Sequence, residues 1–189
     1  MATPRISPQL NERLKAIRLA VFDVDGILTD GALVFAGDQE IKRFHVRDGL
    51  GLKQMMLNGV EVALITARKS EMVAQRAKEM GVTRLSMADG DKLKTLKRFA
   101  GEMGLEPSQV FYMGDDLVDL AAIEWAGVSA TPADGAEDIL AAVDWVTVTP
   151  GGRGAAREVA EGILKAQGAW EKVLAGYRVS ADVAEGKSA

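Results

Sequence analysis

The sequence contains no cysteine and only one histidine, His45. The lack of cysteine excludes disulfides, thiolate catalysis and cysteine-based zinc sites, and it fits a reducing compartment. One imidazole is too few for a histidine metal cluster, and a Ser-His-Asp triad is equally poorly supplied. We therefore expect any chemistry of this chain to use carboxylates, lysine and arginine.

Blocks rich in lysine and arginine are also missing. The net charge of −4 argues against a nucleic-acid footprint or a polybasic membrane surface. The first fifteen residues hold Pro4 and Pro8 and no continuous apolar segment, which predicts neither a signal peptide nor a membrane helix there. We expect a small soluble metabolite as the partner and a cytoplasmic location.

What the chain does contain is an alternation of short apolar runs and amphipathic stretches. Its 189 residues, 48% of them hydrophobic, suit one domain. The runs predict strands at 18–23, 60–65, 82–86, 109–113, 127–130 and 144–148. The stretches predict helices at 50–57, 70–80, 92–103, 117–125 and 155–166. This order predicts an α/β fold, a Rossmann-like parallel sheet sandwiched by helices.

Glycines and turn residues divide the chain further. Gly59, Gly81, Gly104 and Gly127 each follow a helical pattern, where a left-handed cap is expected. Residues 31–46 read as a small β-hairpin inserted in place of a cap domain. We therefore expect an N-terminal arm at 1–15, a domain at 16–167, and a C-terminal tail at 168–189 that loses periodicity and is mobile.

Two acidic clusters follow predicted strands, Asp23 and Asp25 after the first and Asp115 to Asp119 after the fourth. Strand ends line the ligand crevice of a parallel sheet, so both clusters could converge on one cation and one phosphorylated substrate. Of Asp23 and Asp25, one could attack phosphorus while the other transfers a proton, although both could instead be turn or capping residues. Asp115 is the expected magnesium ligand, whereas a helix-terminus role is favoured for Asp119.

A phosphate also needs hydrogen-bond donors and positive charge. Thr66 follows the second predicted strand of the sheet, and Lys92 begins a predicted helix. Each has an ordinary alternative, because a threonine after a strand is often a helix cap and a helical lysine is usually solvated.

The order Asp23/Asp25, Thr66, Lys92, Asp115/Asp116 resembles the four-part pattern of the haloacid dehalogenase-like phosphatases, over nearly the whole chain. Segments 44–49, 65–68, 114–119 and 151–158 resemble the small-cap branch that hydrolyses 3-deoxy-D-manno-octulosonate 8-phosphate. In that branch the inserted hairpin builds a homotetramer, and a C-terminal tail helps to close the neighbouring active site. We expect the same assembly here, and the same role for the tail is a hypothesis.

The resemblance implies a role for each motif residue. Asp23 would be the nucleophile and a magnesium ligand. Asp25 would be the acid/base and would give its backbone carbonyl to the metal, with Asp115 as a further ligand. Thr66 and Lys92 would hold the transferring phosphoryl group.

The resemblance also implies a substrate site, some of it across a subunit boundary. Its predicted members are Asp25, Val46, Arg47, Asp48, Gly49, Lys53, Arg68, Arg76 and Lys92. Two arginines suit a substrate that carries a carboxylate and a phosphate, although apart from the resemblance Arg68 and Arg76 would read as solvated helix residues. The pattern departs from the family at His45, Lys53 and Ala67, all on the substrate side.

The expected activity is magnesium-dependent hydrolysis of the 8-phosphate through an aspartyl phosphate, a step toward lipopolysaccharide. Three alternatives stay open from the sequence. They are hydrolysis of a nine-carbon sialic-type acid 9-phosphate, phosphoryl transfer to another sugar, and a non-catalytic scaffold of the same fold.

Overall fold

The computed structural model describes residues 6–37 and 39–185, with side chains to residue 178. The strands are β1 Leu19–Phe22, β2 Val34–Ala36, β3 Gln39–Ile41, β4 Glu61–Ile65, β5 Arg84–Ser86, β6 Val110–Met113, β7 Val128–Thr131 and β8 Trp145–Val146. The helices are α1 Pro8–Lys15, α2 Val46–Leu57, α3 Glu71–Met80, α4 Lys92–Glu102, α5 Leu120–Trp125, α6 Glu137–Ala142, α7 Ala155–Ala166 and α8 Trp170–Glu185.

Within the described residues, six parallel strands form one sheet in the order β5-β4-β1-β6-β7-β8. The antiparallel pair β2-β3 stands apart as the inserted hairpin. This confirms the predicted parallel α/β fold. All six predicted strands of the sheet occur, and β8 is the shortest at two residues.

The central strand β1 shows why these runs carry no polar residues. All four of its residues are buried, and they alternate between two hydrophobic clusters, with Ala20 and Phe22 in one and Leu19 and Val21 in the other. Helices α1, α2, α3, α7 and α8 supply the first cluster, and α4, α5 and α6 supply the second. A sheet covered on both faces therefore reads as a continuous apolar run.

Several predicted boundaries differ from the structure. Helix α2 begins at Val46 rather than Leu50, because the ring of His45 accepts a hydrogen bond from the backbone N of Arg47 and caps it. Helix α6 was not predicted, because only Ile139 of its six residues is buried and one buried residue gives no periodic hydrophobic pattern. The predicted hairpin at 31–46 contains β2 and β3, and Asp38 between them lies outside the described residues.

The predicted left-handed glycine is wrong at Gly127, although Gly59, Gly81 and Gly104 do have positive φ angles. Gly127 is needed for a different reason. A Cβ there would lie 2.4 Å from the carbonyl oxygen of Pro107. The chain at the start of β7 therefore passes too close to the backbone at Pro107 and Ser108, just before β6, for any side chain.

The predicted loss of periodicity after Gly168 is also wrong, because Trp170–Glu185 form α8. Trp170 and Val173 are buried, and the cations of Arg157 and Lys165 lie 5.1 and 5.5 Å from the Trp170 ring. One turn further on, the Gln54 side chain donates to the Tyr177 hydroxyl at 2.9 Å. These residues recur at helical spacing, a signal that the charged and small residues between them obscured. The division into arm, domain and tail stays a prediction, and its residues 1–5 and 186–189 lie outside the described part of the chain.

Candidate active site

The carboxyl ends of three neighbouring strands bring the predicted motif residues to one edge of the sheet. Asp23 follows β1, Thr66 follows β4 and Asp115 comes two residues after β6. Together with Lys92 they line a cavity of about 260 Å³, whose other lining residues are Asp25, Gly31, Ala67, Arg68, Asp116 and Val118. The structure thus brings together the four-part pattern, whose first and last residues, Asp23 and Asp115, are 92 positions apart in the chain.

A buried ion triad lies at the base of this cavity. The Lys92 ammonium is 3.0 Å from Asp23 Oδ1 and 2.7 Å from Asp119 Oδ1, and its side chain is 4% exposed. Burial opposes the charge of Lys92, yet the two carboxylates outweigh it and raise the Lys92 pKa. Burial, reinforced by the charge of Asp119 and opposed by Lys92, raises the Asp23 pKa to about 8.

Asp119 contributes much more than the predicted helix terminus. It does accept a cap hydrogen bond from the backbone N of Asp116, but it is fully buried. Its Oδ1 also accepts from the Tyr112 hydroxyl at 2.6 Å, and its Oδ2 accepts from the backbone N of Asp115 at 3.2 Å. Asp119 therefore holds Lys92 and the Asp115 backbone in place. The sequence reading missed this because one of its partners, Lys92, is 27 residues away.

Three carboxylates form a cluster that suits a hard cation. One oxygen each from Asp23, Asp115 and Asp119 lies within 4.8 Å of the others. Burial and the charge of Asp119 raise the Asp115 pKa to about 7, so the crowded negative charge is costly without a cation. A Cβ at Gly26 would lie 2.0 Å from Asp115 Oδ2, so the glycine after Asp25 is what lets Asp115 approach. Oxygen ligands of this kind fit Mg²⁺.

Asp25 also lines the cavity, and residues from three segments lie beside its carboxylate. Its Oδ1 forms an ion pair with Lys42, from the hairpin, and lies 3.5 Å from the Thr29 hydroxyl. Its Oδ2 lies 3.9 Å from Arg68 Nε. The sequence reading missed Lys42, because nothing in its neighbourhood along the chain marks it as a partner of Asp25.

The two glycines that begin the predicted motif at 151–158 support the turn after β1. The backbone N of Gly152 donates to the carbonyl of Ile27 at 2.9 Å, and that of Gly151 donates to Asp134 at 2.8 Å. A Cβ at Gly151 would lie 1.8 Å from the Gly26 carbonyl oxygen. The motif therefore fixes the turn that presents Asp25.

The predicted substrate residues divide into two groups. Arg68 lines the cavity, whereas Val46, Arg47 and Lys53 are exposed on α2 and do not line it. Asp48 is buried and accepts from the backbone N of Arg157 at 2.8 Å, which joins α2 to α7.

Arg76 of α3 packs against Gly49 of α2. The Arg76 guanidinium lies 5.9 Å from the Phe44 ring, and a Cβ at Gly49 would be 2.3 Å from Arg76 Nη2. Substrate contacts by these residues, some across a subunit boundary, stay a prediction.

The amino-acid sequence of this chain is similar to those of known hydrolases. A family of haloacid dehalogenase-like hydrolases matches residues 83–158. The 3-deoxy-D-manno-octulosonate 8-phosphate phosphatase of Salmonella typhimurium is 38% identical over 165 residues, which cover 86% of this chain and 87% of that protein.

Two solved structures are also similar. The 3-deoxy-D-manno-octulosonate 8-phosphate phosphatase of Moraxella catarrhalis, in complex with magnesium, phosphate and KDO, superposes with a TM-score of 0.87 at 40% identity, covering 89% of this chain and 98% of that one. The cobalt-bound deoxy-D-mannose-octulosonate 8-phosphate phosphatase of Haemophilus influenzae superposes with a TM-score of 0.80 at 39% identity, covering 82% of this chain and 92% of that one.

Over residues 6–37 and 39–185, no helix has the length and apolar character needed to span a membrane.

Proposed function

Because the chain belongs to the 3-deoxy-D-manno-octulosonate 8-phosphate phosphatase family of haloacid dehalogenase-like hydrolases, we propose that it hydrolyses 3-deoxy-D-manno-octulosonate 8-phosphate. The products would be 3-deoxy-D-manno-octulosonate and phosphate, formed in a step toward lipopolysaccharide in the cytoplasm. The observation that carries the proposal is the cavity in which Asp23, Asp25, Thr66, Lys92 and Asp115 meet.

Asp23 is the proposed nucleophile. Its carboxylate attacks phosphorus, the leaving sugar oxygen takes a proton from Asp25, and an aspartyl phosphate forms on Asp23. Asp25 then takes a proton from water, which attacks the aspartyl phosphate and releases phosphate. Lys92 lies 3.0 Å from Asp23 and, with the Thr66 hydroxyl, would hold the phosphoryl oxygens.

Two side chains, those of Asp23 and Asp115, are the proposed carboxylate ligands of Mg²⁺. The backbone carbonyl of Asp25 is the proposed third ligand. Mg²⁺ supplies positive charge that offsets the repulsion between the Asp23 carboxylate and the phosphate. The oxygens of Asp119 already accept hydrogen bonds from Lys92, Tyr112 and the backbone of Asp115. We therefore assign Asp119 to positioning rather than to coordination.

Arg68 is the best placed of the proposed sugar-acid ligands, because it lines the cavity beside Asp25. A guanidinium binds carboxylate through two parallel hydrogen bonds, which suits a sugar acid. The similar Moraxella catarrhalis enzyme was solved with KDO and phosphate, the two products expected here. Arg47, Arg76 and Lys53 would complete the site from the same or a neighbouring subunit.

The hairpin supports a homotetramer in this proposal. Leu33, Val34, Phe35 and Ile41 are 51, 49, 62 and 49% exposed. Exposed apolar side chains gathered on one small element are typical of an interaction surface. We propose that these surfaces pack together in the assembly, as expected for a small-cap phosphatase.

Phosphate release with and without magnesium tests the function. The wild type should release phosphate from 3-deoxy-D-manno-octulosonate 8-phosphate only with Mg²⁺, and faster than from a nine-carbon sialic-type acid 9-phosphate. Asp23→Asn should lose at least about 10³-fold in kcat, because the nucleophile is gone. Full activity in Asp23→Asn would refute the mechanism, and equal or reversed preference would refute the substrate.

A further inference from the structure

Lys42 is an unusual lysine for a surface hairpin. It follows β3 directly, yet its side chain is only 2% exposed. Its ammonium forms an ion pair with Asp25 Oδ1 and lies 3.6 Å from Glu40 Oε1. Because a lysine is rarely buried unless it is paired, these two carboxylates explain why the side chain turns inward.

The two carboxylate oxygens of Asp25 have different surroundings. Oδ1 has Lys42 and the Thr29 hydroxyl beside it. Oδ2 is buried, and it accepts no hydrogen bond from any residue that the structure describes, with Arg68 Nε 3.9 Å away. A buried carboxylate oxygen without a donor is costly, so it calls for a functional reason.

A second carboxylate, that of Glu40, also lies beside the Lys42 ammonium. Glu40 is two residues earlier in the hairpin and accepts from Arg68 at 2.8 Å. Lys42 is not among the residues that line the cavity. Its contact with the site is the ion pair with Asp25, so we expect any effect on the reaction to pass through that carboxylate.

We propose that Lys42 is a positioning residue that holds Asp25 by Oδ1 and leaves Oδ2 as the oxygen that exchanges the proton. This inference rests on the acid/base role of Asp25 in the proposed function. It gives the hairpin a part in the chemistry of its own chain, in addition to any part in assembly.

Lys42→Met tests the inference, because methionine keeps most of the apolar stem and removes the ammonium. With 3-deoxy-D-manno-octulosonate 8-phosphate, kcat should fall about 10- to 100-fold, part of the 10² to 10⁴ that general acid-base catalysis contributes. KM should stay within about threefold, because Lys42 does not line the cavity. A rise in KM at unchanged kcat would overturn the inference, since it would place Lys42 in substrate binding.

An aryl phosphate provides a readout that a general structural defect would not give. With 4-nitrophenyl phosphate the leaving group needs little protonation, so the aspartyl phosphate should form at nearly the wild-type rate. Its hydrolysis still needs Asp25 as a base, so Lys42→Met should show a burst of about one nitrophenolate per active site and then slow turnover. An equal loss in the burst rate and in steady turnover would count against positioning.

Lys78→Met is the matched control, because it is the same substitution at an exposed lysine of α3. It should behave as the wild type. Lys42→Arg keeps a charged donor, and it should recover most of the lost kcat and serves as the second variant if Lys42→Met does not fold. A folded Lys42→Met with wild-type kcat sinks this inference alone, whereas a wild type without magnesium-dependent phosphatase activity sinks the proposed function.

Discussion

At the scale of single residues, Asp23 and Asp115 connect metal binding to pH. Their pKa values in the folded protein are about 8 and about 7, against an ordinary value of 3.8. Because both are raised, their contribution to the stability of the metal-free protein is complete below about pH 4 and is lost as the pH rises toward 8. Mg²⁺ binds the ionised carboxylates and should reverse that loss.

The measurement is the melting temperature with and without Mg²⁺ at pH 6 and pH 8.5. We expect Mg²⁺ to raise Tm more at pH 8.5, where the carboxylates are ionised, than at pH 6, where protons compete with the ion. Asp115→Asn should lose most of the increase at both pH values, whereas Asp138→Asn, at an exposed position of α6 outside the carboxylate cluster, should keep it. An equal increase at both pH values in the wild type would contradict the expected linkage.

How far the site could be read from the sequence also depends on single residues. Asp23, Thr66 and Asp115 were found because each follows a strand, so their positions depend on local structure and sheet topology alone. Asp119 and Lys42 act through partners 27 and 17 residues away. Their spacing along the chain has no fixed relation to distance in space, so only the fold could show their roles.

At the scale of secondary structure elements, two helical glycines predict opposite effects of the same substitution. In α7, a Cβ at Gly162 would lie 2.5 Å from the ring of the buried Trp145. Gly162→Ala should therefore lower the free energy of unfolding by about 1 to 3 kcal/mol through overpacking. In α4, a Cβ at Gly101 would meet nothing within 4 Å among the described residues, so Gly101→Ala should raise stability by about 0.5 to 1 kcal/mol.

Urea unfolding of both variants checks this pair. The midpoint should move in opposite directions with the slope unchanged, because neither substitution alters the surface exposed on unfolding. A stabilised Gly162→Ala variant would show that helix propensity, rather than the contact with Trp145, governs Gly162.

The helices and strands also differ in how well the sequence predicts them. The sheet strands were predicted because burial on both faces leaves an uninterrupted apolar run, as in β1 and β6. Helix α6 buries one residue, and the buried residues of α8 up to residue 178, where the described side chains end, are Trp170 and Val173. Such elements form mainly because the rest of the fold offers them a surface, so their own sequence patterns are weak or obscured.

At the scale of the whole molecule, the exposed hairpin predicts an assembly. Phe35 is 62% exposed and lies across the hairpin from Glu40, which holds Arg68 and Lys42. Packing of hairpins between subunits would therefore bury apolar surface directly beside the residues that hold Asp25. Assembly and catalysis are thus expected to depend on the same element.

Light scattering of the wild type should give about four times the 20.2 kDa mass of the chain. Phe35→Asp should shift the mass toward the monomer, because a buried unpaired charge would oppose the packing. Its kcat/KM should fall more for the sugar-acid phosphate than for 4-nitrophenyl phosphate if a neighbouring subunit completes the sugar-acid site. The control is Leu57→Asp, at the last residue of α2, which is 67% exposed. This variant should leave the mass unchanged. A monomeric wild type, or a Phe35→Asp variant that remains a tetramer, would show that the hairpin is not the interface.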